Sequence, residues 1–439
     1  MMETNMADPV MMTVYGLLAT FVMIFLHIPV GVAMGIAGVI GFGLLAGFPP
    51  AFAMIASETS NALSSLDLVT IPLFVLMGSF AGIAGLSEDL YRLAYALIGH
   101  RRGGLALATI GGCAGFGAVC GSSVATAATF GRASLPSMLR RGYNPGFAAG
   151  TVAAGGTLGI LIPPSSIMVI YAVLAQELIV TLYVAALVPS LIAVVLHGLT
   201  ISLYTRWKPE DAPAGNRASL AERWQAVKES WQVIVLATVV IGGMAIGMFT
   251  ATEAAAVGAA VAFVFALLRK SLTRDGIREV LKGTASTAAM IYVLIIGASL
   301  FGYFAAVTQA PQALTEAVRA SGLPIWGAVA IIIAMFLVAG AVFDEVAAMV
   351  IAMPFILPLI KSWGFDPIWW GIINVVIIEL GMLIPPLGMN VFVVHGVAPQ
   401  IGLAAIYRGV MPYIASNIIR LTVLLLFPAL CLWLPSVMK

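Results

Sequence analysis

Consecutive prolines occur at Pro163-Pro164 and Pro385-Pro386, each inside an apolar run long enough to cross a bilayer. Proline lacks a backbone N–H and clashes with the preceding helical turn, so each pair breaks its helix. The carbonyls freed before the break, those of Gly159 to Ile162 and of Gly381 to Ile384, become oxygen ligands for a small, hard cation. Helices restarting near Ser165-Ser166 and near Gly388 turn N-terminal dipole ends toward an anion. In lipid such breaks persist only where protein or a water-filled cavity surrounds them. A cation on loosened backbone with an anion on helix starts is the chemistry of ion-coupled solute carriers.

Composition supplies the solvent. Of 439 residues, 61% are hydrophobic and 9% charged, against roughly 25% charged in a soluble domain. Too few charges remain to cover a soluble core of this size, whereas lipid accepts apolar side chains on the outside. With about 20 apolar residues per span, the chain has room for roughly a dozen segments. The 45 glycines suit close helix packing in lipid. A net charge of +2 argues against a nucleic-acid partner. Cys113, Cys120 and Cys431 have no metal-ligand spacing and imply no disulfide framework. The first ten residues carry Glu3 and Asp8 and no basic residue, the wrong sign for a signal peptide, so the first apolar run reads as a retained helix.

The two proline pairs belong to a repeat. Pro136, Gly142 and Pro145 recur as Pro358, Gly364 and Pro367, and Gly159-Ile-Leu-Ile-Pro-Pro164 recurs as Gly381-Met-Leu-Ile-Pro-Pro386, all 222 residues apart. The chain therefore divides into a tail (1–9), a first repeat (10–205), a basic linker (206–229) and a second repeat (230–439). Arg206, Lys208, Arg217, Arg223 and Lys228 place the linker in the cytoplasm, together with the basic loop Arg269 to Lys282. That loop's counterpart, Phe48 to Asp67, holds acidic residues and no basic ones, and is expected outside as a loop. The halves then run in opposite directions, an inverted-topology repeat of the kind used for alternating access.

Helices are expected at 10–27, 29–47, 68–86, 104–118, 121–139, 146–161 with 164–178, and 180–205. An amphipathic surface helix is expected at 88–100 and another at the end of the linker. Segments 104–139 and 324–361 are each either two full crossings or one re-entrant hairpin. Within Gly121–Thr129, Ser122, Ser123, Thr126 and Thr129 stand among small residues, and Ser122 and Ser123 align with Asp344 and Glu345. Intramembrane carboxylates are expensive and mark ion paths or gates, which selects Asp344, Glu345 and Glu379. Thr126 stands at a substrate or gate position, though its hydroxyl also serves packing. Asn390 can offer an amide oxygen or two donors, and Glu253 can cap its helix through a preceding threonine. Neither a nucleophile elbow nor a Walker A loop is present, and His27, His100, His197 and His395 are scattered. The chain reads as no enzyme.

Gly121-Ser-Ser-Val-Ala-Thr-Ala-Ala-Thr-Phe-Gly131, Gly159–Ser166, Phe249–Gly258, Gly364-Phe-Asp-Pro367, Gly381–Asn390 and Phe427–Pro435 resemble the large membrane subunit of the tripartite ATP-independent periplasmic (TRAP) transporters. The likeness runs over nearly the whole chain. It implies an all-α polytopic importer of the bacterial inner membrane, with re-entrant hairpins and discontinuous helices in a transport domain that moves like an elevator against a scaffold. It further implies sodium coupling, a small four-helix membrane subunit, and a periplasmic binding protein that delivers an organic acid such as a dicarboxylate or sugar acid. By motif position, one sodium would sit near Ser122, Ser123, Gly159, Ile162 and Pro164. A second would sit near Gly381, Ile384, Pro386 and Asn390. Many relatives carry threonine where Ile384 stands, so backbone oxygens would serve there; the residue at Ala251 is commonly proline. Ser165, Ser166 and Gly388 remain substrate or gate candidates.

Overall fold

The computed structural model describes residues 9–342 and 345–438, with the backbone alone at 341, 342 and 345. Among the described residues there is no strand. The first half comprises α1 (Pro9–Phe25), α2 (Val30–Ala46), α3 (Phe48–Ser64), α4 (Leu66–Ile83), α5 (Leu86–Ile98), α6 (Gly104–Cys120), α7 (Ser123–Arg140), α8 (Pro145–Leu161), α9 (Ser166–Ala175) and α10 (Ile179–Trp207). The linker forms α11 (Leu220–Glu229). Then come α12 (Trp231–Ala237), a π-helical turn at Thr238–Gly242, α13 (Gly243–Ala245), α14 (Ala251–Leu268), α15 (Arg274–Val307), α16 (Ala310–Ala320) and α17 (Ile325–Val342). The chain closes with α18 (Glu345–Ser362), α19 (Pro367–Gly381), α20 (Met389–Val397), α21 (Leu403–Leu426) and α22 (Ala429–Val437).

Helix boundaries follow the same register as the prolines. Adding 222 to α7 gives the bounds of α18, and α8, α9 and α10 fall on α19, α20 and α21 within a few residues. One difference is plain: α3 and α4, separated at Ser65, correspond to the single 34-residue α15.

Two expectations are corrected here. Phe48–Ser64 is helical rather than a loop: Pro49 and Pro50 occupy the first helical turn, where a missing N–H costs nothing, and alanine and methionine carry it on. Its serines, threonine and asparagine made it look like a connection. On the other side, the basic loop shrinks to the residues between α14 and α15, because Thr273 caps α15 by accepting from Gly276 N at 3.0 Å. The remaining basic residues ride on the first turns of that helix. The amphipathic α5 and α11 stand where expected, α11 opening with a Ser219/Glu222 capping box. The backbone bond from Ser219 to Glu222 holds that exposed carboxyl below the usual glutamate range.

Among the described residues, five helices are long and apolar enough to cross a membrane: α4, α10, α14, α15 and α21. Two bent pairs can raise this to seven, and α1, α2, α6, α17, α18 and α19 supply shorter apolar segments. This is a multi-span helical membrane protein. α2 lies along α15 and α4 along α14, while α8 packs with α6, α7 and α21. At the centre, α8 is buried from Gly146 to Leu161 and α19 from Ile368 to Gly381. Fully buried polytopic helices are surrounded by protein rather than lipid, the one setting in which a broken backbone is tolerated.

Candidate functional site

The site grows from α8. Asn144 caps it, accepting from Phe147 N at 3.1 Å, and Pro145 fills its first turn. The helix ends at Leu161, Ile162 turns extended, and the chain restarts as α9 at an angle of 41°. Pro163, Pro164 and Ser165 are buried, and the Ser165 side chain caps α9 by accepting from Met168 N at 3.4 Å. The Pro163-Pro164 peptide bond is cis, as is Pro385-Pro386.

Against this break lies the two-residue turn between α6 and α7. Gly121 is left-handed at φ +63°, and a Cβ there would come within 2.5 Å of Pro164 O. Glycine is required on both counts, backbone angle and close approach. Ser122 caps α7, accepting from Ala125 N at 3.4 Å. The Thr126 hydroxyl donates to Ser122 O at 2.7 Å, and Ser166 Oγ donates to Gly121 O at 3.0 Å. Gly159 faces this group: a Cβ on it would meet Thr126 Oγ1 at 2.5 Å and Ser122 O at 2.7 Å. The structure thus brings together Ser122, Ser123, Thr126, Gly159, Pro164, Ser165 and Ser166. These contacts are made by peptide and hydroxyl oxygens, a donor set suited to a weakly held monovalent cation.

Asn390 arrives from α20. Its Nδ2 donates to Ser123 Oγ at 2.7 Å and to Ala153 O at 3.0 Å, with the side chain fully buried. Sequence position grouped Asn390 with the second break, whereas its amide reaches the first and so joins the two. Its Oδ1 has no hydrogen-bond partner among the described residues.

The second break is built differently. α19 ends at Gly381, and α20 begins after left-handed Gly388 (φ +37°). Gly381 O accepts from Ile384 N at 3.3 Å, and Pro386 O accepts from the Tyr407 hydroxyl at 2.8 Å. Pro385, Pro386 and Leu387 are exposed where their counterparts in the first half are covered. In register, Ser122 and Ser123 correspond to Asp344 and Glu345. Asp344 and the side chain of Glu345 lie outside the described residues.

Glu379, two residues before Gly381, forms a fully buried ion pair with Arg420 of α21. Arg420 was missed in the sequence, although an arginine deep in the apolar run of α21 is the same signal that selected the carboxylates. His197 is a packing residue, with Ser416 Oγ 3.2 Å from its Nδ1 and Tyr413 edge-on at 5.4 Å. Glu253 caps α14 in a reciprocal box with Thr250. A separate cavity of about 580 Å³ between α1, α16, α17 and α18 is lined by apolar residues such as Leu17, Leu314 and Phe355, and contains none of the site residues.

Residues 17–430 match the family described as "Tripartite ATP-independent periplasmic transporter, DctM component". The chain is 34% identical over 400 residues to the C4-dicarboxylate TRAP transporter large permease protein DctM of Rhodobacter capsulatus, covering 88% of this chain and 90% of that one. It is 31% identical over 383 residues to the sialic acid TRAP transporter large permease protein SiaM of Vibrio cholerae, covering 87% and 89%. Its fold is similar to the solved structure of Neisseria gonorrhoeae MtrF, with a TM-score of 0.64 at 14% identity over 98% of this chain and 96% of that chain.

Proposed function

This chain belongs to the DctM component family of the tripartite ATP-independent periplasmic transporters, and from that membership we propose that it imports small organic acids, carboxylates above all, using a sodium gradient. As the large permease component of such a system it is a transporter and not an enzyme. The proposal places it in the bacterial inner membrane, with the basic linker 206–229 in the cytoplasm and the two repeats inverted. A small four-helix membrane subunit and a periplasmic binding protein complete the system, in keeping with the family's tripartite description.

One sodium binds at the break after α8, held by Ser122, Ser123 and the carbonyls of Gly159, Ile162 and Pro164. A second sodium uses the carbonyls of Gly381, Ile384 and Pro386 together with Asn390, whose Oδ1 has no hydrogen-bond partner among the described residues. The dipole ends of α9 and α20, at Ser165-Ser166 and Gly388, attract the substrate carboxylate; Thr126, Asp344 and Glu345 shape the gate. The block around α8 and α19 moves as an elevator against the α2–α15 and α4–α14 pairs.

One observation carries this reading: the backbone is interrupted at the buried centre of the protein, with Gly121, Ser122 and Gly159 oxygen-rich and sterically closed around the gap. Uptake into proteoliposomes containing both membrane subunits tests it, with binding protein loaded from a panel of organic acids. Accumulation should require an inward sodium gradient and binding protein together. Accumulation without added binding protein would point to an independent carrier of the same architecture. Downhill flux alone would point to a channel.

A further inference from the structure

The linker helix α11 carries its residue types on separate faces. Leu220, Trp224 and Val227 stand at i, i+4 and i+7, one stripe of the helix. Leu220 is 83% exposed and Trp224 62%, so the stripe finds little cover among the described residues. Glu222, Gln225 and Glu229 occupy the opposite face, which is turned toward α5. Glu229 lies 3.7 Å from Arg92, and a cavity of about 480 Å³ lies between this face, Tyr95 and Arg141.

Arg223 and Lys228 flank the stripe, and Arg217 precedes it in the exposed loop. None of the three forms an ion pair among the described residues. Arg223 Nε is enclosed without a hydrogen-bond partner there, and Lys228 Nζ stands 5.7 Å from the centre of the Trp224 ring, at the edge of the stripe. Both acids of the helix are committed elsewhere, Glu229 beside Arg92 and Glu222 accepting from Ser219 N at 2.6 Å. The linker runs from the end of α10 to the start of α12, and the tryptophans at these two ends, Trp207 and Trp231, are exposed. Tryptophan is enriched where helices cross the membrane–water boundary. Lys208 Nζ lies 5.4 Å over the Trp207 ring. At this level α11 bends by 48° from the apolar segment Trp231–Ala245.

An apolar stripe needs a non-aqueous cover, and unpaired cations beside it need anions. A leaflet of anionic phospholipid offers both in one layer, acyl chains beneath phosphates. We propose that α11 binds anionic phospholipid, with Leu220, Trp224 and Val227 in the acyl layer and Arg217, Arg223 and Lys228 on headgroup phosphates. Glu222 and Glu229, on the opposite face, then stay away from the phosphates, beside α5. The site rests on the linker's place at the membrane face in the topology above and needs no sodium coupling. It fastens the connection between the two repeats to the membrane surface.

Spin labels on α11 in proteoliposomes test this. Cys113, Cys120 and Cys431 are buried, so a label goes selectively to Val227→Cys or, on the opposite face, to Gln225→Cys. Vesicles of phosphatidylcholine with phosphatidylglycerol are compared with vesicles of phosphatidylcholine alone. With phosphatidylglycerol, the label at 227 should collide with oxygen in preference to a water-soluble nickel complex, and the label at 225 should do the reverse. Phosphatidylcholine alone should return 227 to water, and so should about 1 M salt, which screens exposed charges. Arg217→Gln with Arg223→Gln and Lys228→Gln should lower the ratio of inserted to free helix by about fivefold for each residue removed. Size exclusion checks folding of this triple variant, and the lipid comparison on the basic helix decides the matter if it does not fold. Equal collision patterns at 227 and 225 overturn the proposal, as does insertion at 227 that ignores both phosphatidylglycerol and the three basic residues. Shielding of 227 from both agents once the small membrane subunit is added assigns the stripe to a protein interface and overturns it as well. None of these readings involves transport, so they stand whatever the coupling ion.

Discussion

Gly159→Ala perturbs the cation site with a single methyl group. The added Cβ would stand 2.5 Å from Thr126 Oγ1 and 2.7 Å from Ser122 O, and these two oxygens are already bonded to each other at 2.7 Å. Carbon–oxygen contacts settle at about 3.3 Å or more, so the gap must open by roughly 0.7 Å. Neither neighbour is a flexible tip. Ser122 O belongs to the backbone of the covering turn, and Thr126 is fully buried. Forcing a methyl into a packed core costs about 1–3 kcal/mol. If that strain falls on the ligand shell, each 1.4 kcal/mol weakens sodium tenfold. Sodium half-saturation should therefore rise by about tenfold or more in uptake assays. Gly82→Ala is the control, because nothing lies within 4 Å of a Cβ there; it should behave as wild type. A Gly159→Ala protein with the wild-type sodium curve would refute the placement of the site against Ser122.

Three further outcomes are expected. Asn390→Ala removes the donor to Ser123 Oγ and leaves Ala153 O without it, so folded yield should fall with a loss of about 1–3 kcal/mol and sodium affinity should weaken; a thermal melt and an uptake titration check both. Tyr407→Phe releases Pro386 O from its hydroxyl partner, and apparent sodium affinity should tighten by up to about tenfold, the equivalent of one hydrogen bond; weaker binding in a titration would remove Pro386 from the ligand set. Arg269 binds Asp89 Oδ2 at 2.5 Å, Gln232 Oε1 at 2.5 Å and Ala84 O at 3.0 Å, tying α5 to α4, α12 and α14. Arg269→Ala should lower the melting temperature while leaving sodium half-saturation unchanged, since none of these groups approaches the helix breaks.

Local covalent chemistry explains what the sequence disclosed. A proline pair inside an apolar run interrupts its helix, so the breaks after α8 and α19 were visible, along with the register that relates the halves. Apolar runs likewise located α5, α8 and α9 closely, and an amphipathic helix was expected at the end of the linker, where α11 stands. Tertiary packing hid the rest. Ser123 and Asn390 are 267 positions apart, and only the fold brings them to 2.7 Å. Arg420 was visible as a charge in an apolar helix, yet its role depends on facing Glu379 across two helices. Phe48–Ser64 misled because its polar residues suit a turn as well as an exposed helix face, and the proline pair at its start outweighs them.

The claim beneath the whole account is that a peptide interruption in the buried core grips sodium. Binding of radiolabelled sodium to the purified subunit tests it without substrate, partner or flux. Saturable binding that potassium does not displace, weakened in Ser123→Ala at equal folded protein, is the result expected. Equal binding by the two proteins, or displacement by potassium as readily as by sodium, would contradict it.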